Sequence, residues 1–257
     1  MGTITVYYHT HRGLVRNKNE DGILANKRLV TNTDMDAPVC LTESMDHHLL
    51  VVADGMGGHG NGSLASEIVL RTFVNGTGTP VLGRTRLLEV IYKAKTNLDH
   101  AVNMDRVLFD MGATLAGIAV RGNHVLAFNS GDCRVYKRSS GNGLEKLTRD
   151  HSLVQALVDD GQIDEDEMIH HPNKNIVTSC LVGDLRSVMP EVFIRETVIS
   201  RGDLFFLCSD GVWENFEHSQ LEAVLEFEPN RAALEIVNHV LESGAVDNFT
   251  FVLVVIE

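Results

Sequence analysis

Short apolar runs and stretches of helical period alternate along the chain, and the two patterns sort into blocks. Strand-like runs come first at ILANKRLV (23–30) and HHLLVVA (47–53). A second block, ATLAGIAVRGNHVLAFNSGDCRVYKR (113–138), holds alternating runs that meet at Arg121-Gly122-Asn123, the composition of a hairpin turn. EVFIRETVI (191–199), DLFFLCS (203–209) and NFTFVLVVI (248–256) make a third. Helical patterns lie between these blocks. SLASEIVLRTF (63–73) brings Leu64, Ile68 and Phe73 near one face with Ser63 as a candidate N-cap, and TRLLEVIYKAKTNLDHAVNM (85–104) is long and amphipathic. SLVQALVDDG (152–161) and RAALEIVNHVLESG (231–244) are shorter, and each ends at a glycine. VNGTGTPVLG (74–83) reads as a loop between two helices. No Pro- or Ser-rich linker and no repeat divides the chain, so the pattern predicts one α+β domain over residues 1–257, with strand order left open.

The 257 residues suffice for one sizeable core. With 35 acidic against 22 basic residues the formal net charge is −13, a field that repels nucleic acid and anionic membranes. It suits carboxylates gathered round cations, although a solvated acidic surface has the same composition. Cys40, Cys133, Cys180 and Cys208 form no C-x-x-C pair and read as reduced thiols. The first residues, MGTITVYYHTHRG, lack a basic region followed by an apolar run, and FVLVVI is too short to cross a bilayer. Val6 stands where a myristoylation signal needs Ser or Thr. The expectation is a cytoplasmic, soluble monomer with no nucleic-acid or membrane partner.

Candidate chemistry concentrates in LLVVADGMGGHGNG (49–62). Gly55-x-Gly57-x-x-Gly60, between an apolar run and a helical one, matches the dinucleotide-binding fingerprint. A pyrophosphate needs the free N–H groups of such a turn, yet Asp54 brings like charge beside it. The acidic residue expected about 20 positions further on is missing; TPVLGRTRLLE offers only Glu89, inside a helical pattern. No Gly-Lys-Ser/Thr follows, so a phosphate loop fails as well.

A cation site accounts for more of the chain. Asp-Gly recurs as Asp210-Gly211 directly after another apolar run, Asp247 introduces the last one, and Glu20-Asp21 precedes the first. Carboxylates at strand ends can converge on one rim of a sheet assembly, where without cations they would repel and be costly to desolvate. An all-oxygen set favours hard ions such as Mg or Mn over Zn. Any one of these Asp residues alone reads as a turn former or helix cap. The pattern is specific as a set.

These residues in this order resemble the protein phosphatase 2C family of metal-dependent serine/threonine phosphatases, in its compact bacterial form. The resemblance runs through RGLVRNKNED, VVADGMGGHG, MGATLAG, NSGDCRVYKR, LTRDHSLVQALVDDGQI, HPNKNIVTSCLVG, GDLFFLCSDGVWE and VDNFT. It implies a β-sandwich of two antiparallel sheets flanked by helix pairs, with a two-metal centre at one edge. Asp54 would bridge two Mn or Mg ions, the carbonyl of Gly55 would bind one, and Asp210 and Asp247 would hold the other. Glu20 and Asp21 would coordinate directly or through water. Arg16 would grip the phosphoryl oxygens, a task that suits its planar fork; on its own it also reads as a surface residue. A third metal, present in some members, would draw on Asp132 and Glu214 with Asp210 shared. Many relatives have Asp at the position of Glu214, and Asp132 equally reads as a hairpin-turn residue.

The implied activity is hydrolysis of phosphoserine and phosphothreonine on proteins by a metal-bridging water, in opposition to a cognate bacterial serine/threonine kinase. No cysteine nucleophile is needed. Some eukaryotic relatives have a His two residues after the bridging Asp, but Met56 stands there, so the leaving-group acid is left unassigned. His59 reads as structural, and His151 as a capping or packing residue. Residues 159–175 correspond to a mobile flap in relatives, whose acidic half, Asp164 to Glu167, would disfavour acidic substrate flanks or equally be a solvated helix face. Two competing readings are weaker: a non-catalytic phosphoprotein-binding module on this fold need not retain a full carboxylate set, and the dinucleotide oxidoreductase of the glycine pattern fails on the mismatches at Asp54 and Glu89.

Overall fold

The computed structural model describes residues 2–44, 47–57, 61–76, 83–139, 141–184, 186 and 188–257. His59, Gly60 and most of the 74–83 loop lie outside the described residues. Among the described residues thirteen strands form two antiparallel sheets. The first runs β4 (Val39–Ser44), β1 (Thr3–His11), β13 (Phe249–Ile256), β12 (Leu204–Cys208), β8 (Arg134–Ser139) and β9 (Asn142–Lys146). The second runs β11 (Phe193–Val198), β7 (His124–Ser130), β6 (Gly112–Arg121), β5 (His47–Met56), β2 (Gly22–Ala25) and β3 (Arg28–Thr31), with β10 (Leu181–Val182) paired to β6.

The alternation of side chains along a strand builds the layers. On β5, Leu50 and Val52 face the interior between the sheets, where they join Val6, Phe205 and Val254 of the first sheet. Leu49, Val51 and Ala53 face the other way, against α1 (Gly62–Gly76) and α2 (Arg84–Met104). The first sheet repeats the scheme. Val252, Val254 and Ile256 of β13 point inward, while Phe249, Phe251 and Leu253 meet α5 (His218–Leu225) and α6 (Pro229–Glu242). Strands buried on both faces read as continuous apolar runs, which is why LLVVA and FVLVV lack a polar period. The result is the expected sandwich with a helix pair on each face.

Several expectations need adjusting. ILANKRLV is a hairpin, with β2 and β3 turning at Asn26, which adopts the left-handed conformation (φ 59°). SLVQALVDDG forms α3 (Leu153–Asp159), while strands β1, β4, β9 and β10 and helix α5 go beyond the elements that the pattern predicts. Ser63 does not cap α1: the helix starts one residue earlier, and the Gly62 N–H is met by Glu20 Oε1 at 3.1 Å. The turn at 121–123 is as expected, with Arg121 paired to His124 and Gly122 left-handed.

Candidate active site

The candidate residues gather at one end of the sandwich because the registers put the relevant strand ends side by side. In the second sheet the end of β5, the start of β6 and the end of β7 align through Asp54–Thr114 and Leu115–Ser130. In the first, the end of β1 meets the start of β13 through His11–Phe249, and the end of β12 meets it through Cys208–Phe251. Arg16, Glu20 and Asp21 sit on the connection from β1 across to β2, and Asp132 on that from β7 across to β8. Asp210 opens the single-turn helix α4 (Asp210–Trp213), which Glu214 follows; Asp247 precedes β13.

A lattice of polar contacts holds this end together. The Glu20 carbonyl accepts from the Gly55 N–H (3.2 Å) and from Ser66 Oγ (2.6 Å), while the Glu20 N–H donates to Asn248 Oδ1 (2.8 Å). Asn248 Nδ2 donates to the carbonyls of Arg12 and Lys18, both at 2.9 Å, and so ties the first connection to β13. Ser209 Oγ donates to Asp21 Oδ2 (2.8 Å) and accepts the Thr250 N–H (3.1 Å). Two glycines permit the approach: a Cβ at Gly55 would lie 2.1 Å from the Gly62 carbonyl, and one at Gly211 1.9 Å from that of Asn248. Ser209 and Asn248 were not among the predicted site residues. Their signal is a polar residue next to a motif Asp in the sequence, at one end of an otherwise apolar run.

The electrostatics are those of like charges forced together. Asp21 and Asp132 are almost fully buried, whereas Asp54 and Asp210 keep part of their surface open. Burial, then the charges of Asp21, Asp210, Asp132 and Asp247, pushes the Asp54 carboxyl well above the usual carboxylate range. Asp210 is raised in the same way by burial and by Asp132, Glu214, Asp247 and Asp21. Burial lifts Asp21 to about 6 and, with Asp150, lifts Asp132 to about 7. Asp21 Oδ1 and Asp132 Oδ1 are buried with no hydrogen-bond partner among the described residues.

The cluster is gathered but not closed. Among the described residues no three Asp, Glu, His or Cys side chains form a ready-made metal cage. Two of the acids are held by cations of the chain itself. Arg16 Nη2 lies 2.6 Å from Asp247 Oδ2, which raises the Arg16 pKa, and Lys174 Nζ lies 2.7 Å from Glu214 Oε2. Glu20 spends one carboxylate oxygen on the start of α1. Arg12 turns away to Asp34, which it meets at 3.4 Å.

The two buried thiols beside motif Asp residues are not set up as nucleophiles. Burial, followed by the nearby Asp54 and Asp132 charges, drives the Cys133 thiol up; burial also drives up Cys208, so neither is a ready thiolate. His151 packs as expected: it is buried, and its Nδ1 accepts from the Gly131 N–H at 3.2 Å.

The family model described as “Protein phosphatase 2C” matches residues 35–243. The chain belongs to the protein phosphatase 2C family. Asp54, Gly55, Asp132, Asp210 and Glu214 fall inside the span that matches the 2C model, while Arg16, Glu20, Asp21 and Asp247 fall outside it. The serine/threonine protein phosphatase PstP of Mycobacterium tuberculosis is 32% identical over 247 residues, 94% of this chain and 43% of that relative's length. This chain therefore spans less than half of that 2C relative. A crystal structure of the M. tuberculosis phosphatase PstP/Ppp is similar with a TM-score of 0.80 at 29% identity, covering 98% of each chain. A structure of the PstP catalytic domain in complex with two manganese ions gives a TM-score of 0.76 at 27% identity over 99% of each chain. The sandwich with flanking helix pairs is thus the 2C fold. Among the described residues no helix is long and apolar enough to cross a membrane.

Proposed function

We propose that this chain is one catalytic unit, a metal-dependent protein serine/threonine phosphatase acting on phosphoserine and phosphothreonine and opposing a serine/threonine kinase. The observation that carries the reading is the acidic rim: four carboxyls of one sign, two with an orphaned buried oxygen, where six strand ends meet two crossings between the sheets. Such a donor set, all oxygen, fits Mn or Mg. Asp54, the Gly55 carbonyl, Asp210 and Asp247 would hold two ions, with Glu20 and Asp21 direct or through water. Bound there, divalent cations supply Lewis-acid charge and an activated water at neutral pH. The PstP catalytic domain, which shares this fold, binds two manganese ions, in support of the reading.

Arg16 is exposed at the mouth of the rim and keeps its charge at any working pH. Its fork suits two phosphoryl oxygens, and moving onto substrate would release Asp247 for the cation. Water adds to phosphorus, the bond to the seryl or threonyl oxygen breaks, and that oxygen leaves with a proton as the free hydroxyl. A third ion at Asp132 and Glu214 would require Lys174 to leave Glu214. The test is hydrolysis of p-nitrophenyl phosphate and of a phosphothreonine peptide with Mn, with Mg and with EDTA. Activity with Mn or Mg and none in EDTA is expected; full activity in EDTA, or activity with Zn alone, would end the proposal. Binding of the phosphopeptide without turnover would favour a phosphoprotein-binding module.

A further inference from the structure

The cavity of about 1120 Å³ behind the flap lies outside the acidic rim yet shares a wall with it. Its floor is apolar and aromatic, with Tyr136, Leu144, Trp213, Phe216 and Leu221, and its lip is the 3₁₀ segment Glu165–His170. The shared wall is α4. Asp210 starts this single turn, while Trp213 closes it, lines the cavity and donates from its indole N–H to the Asp132 carbonyl at 3.0 Å. A helix with its side chains is about 10 Å across, a distance that about three extended residues span. A peptide held by its phosphate at the rim therefore reaches this cavity with a residue two or three positions away.

The charge on the lining decides what that residue is. Both long cations of the lining are already neutralised: Arg134 by Asp150 at 2.6 Å, and Lys146 by Glu165 at 2.6 Å. Asp166, Glu167 and Glu217 also line the cavity, and among the described residues none of them makes an ion pair. An apolar floor under an acidic lip accommodates an alkyl stem that ends in a cation. We propose that this cavity is a substrate subsite that takes an arginine or lysine side chain flanking the phosphorylated residue. The proposal rests on the phosphatase reading and deepens it, turning the expected bias against acidic flanks into a specific pocket for basic ones.

Trp213 is the chain's one tryptophan, so its emission reports on this wall directly. The experiment uses phosphothreonine hexapeptides with Arg or Glu placed in turn at each of the positions within three residues of the phosphothreonine. Turnover with Mn is measured alongside the Trp213 emission. At one or two positions Arg should raise kcat/KM over Glu by about tenfold, and the Arg peptide alone should shift the emission. Asp166→Lys reverses a charge at the lip, and Ser219→Arg, at an exposed position on the lining, tethers a competing cation there. Each should cut the Arg advantage below about threefold while p-nitrophenyl phosphate hydrolysis stays within about twofold of wild type. Equal kcat/KM for Arg and Glu at every position, or an Arg advantage that survives either substitution, would overturn the subsite. An emission shift specific to Arg peptides without any hydrolysis would uphold the subsite and strike the phosphatase reading alone.

Discussion

Asp132 and Arg134 are separated by a single residue and both are buried, yet they belong to clusters of opposite construction. Arg134 donates to Asp150 from Nε (2.9 Å) and Nη2 (2.6 Å) and to the Tyr136 hydroxyl from Nη1 (3.1 Å), with its guanidinium 3.4 Å above the Trp213 ring. Every strong charge there has its opposite. Asp132 faces Asp210 and Glu214 across the rim, and one of its oxygens has no partner among the described residues. A buried pair that balances internally is architecture; a buried set of one sign, held in place by a lattice of neutral donors, is under the proposed reading the place for a cation supplied from outside.

Substitution separates the two clusters most sharply through activity. Asp54→Asn or Asp210→Asn should lower kcat/KM by more than about 10⁴-fold, above 5 kcal/mol of transition-state stabilisation. Circular dichroism of both variants should match wild type. Asp150→Asn does the reverse: it strands the Arg134 guanidinium without a counter-ion, at a cost of about 3–5 kcal/mol of stability. A drop of roughly 10 °C in the melting temperature is the readout. An activity loss without that drop would place Asp150 in the site and blur the comparison.

A third kind of burial sharpens it. His9 lies among Phe249, Phe251 and His11 with neither ring nitrogen bonded among the described residues, and burial lowers its pKa to about 4. The unfolded chain takes up this proton near pH 6.5 and the folded chain only near 4. Stability is therefore full above 6.5 and is lost as the pH falls through that window, by about 3 kcal/mol in all. His9→Phe should flatten this acid limb in urea titrations at pH 7, 5.5 and 4.5, and an unchanged slope would show that His9 is not its source.

The smallest effects concern the cations at the mouth. Arg16→Ala should reduce kcat/KM by about 30-fold, roughly 2 kcal/mol, through both KM and kcat. Arg16→Lys should recover part of that loss, and Arg12→Ala, which frees only Asp34, should change little. Equal losses at Arg12 and Arg16 would undo the assignment to phosphate.

Much of this was legible in the chain because the chemistry sits at strand ends, where an apolar run stops or starts at a carboxylate. Asp54, Asp210 and Asp247 announce themselves that way, and the two sheets follow from runs buried on both faces. Strand β1 reads poorly because TITVYYHTH mixes Thr and His into the alternation, and α5, HSQLEAVL, is too short and polar to show a period. Partnerships across the fold were beyond reach. Arg16 meets Asp247 from 231 positions away and Lys174 meets Glu214 from 40, and nothing local in either segment marks the other. Asp132 looked equally like a turn residue because the crossing between sheets that buries it is a feature of topology, not of spacing.

The claim that the acidic rim is built for an added cation is tested most directly by melting wild type and Asp54→Asn, with and without Mn, between pH 5 and 8. The rim carboxyls have folded pKa values above their unfolded ones, Asp21 at about 6 and Asp132 at about 7, so the metal-free fold loses stability as the pH rises through those values. Without metal, Asp54→Asn should melt above wild type at pH 8, and the gap should narrow towards pH 5 as the carboxyls take up protons. Saturating Mn should raise wild type past the variant and leave the variant nearly unmoved. A metal-free variant that melts at or below wild type at pH 8, or equal Mn shifts in both proteins, would contradict the account.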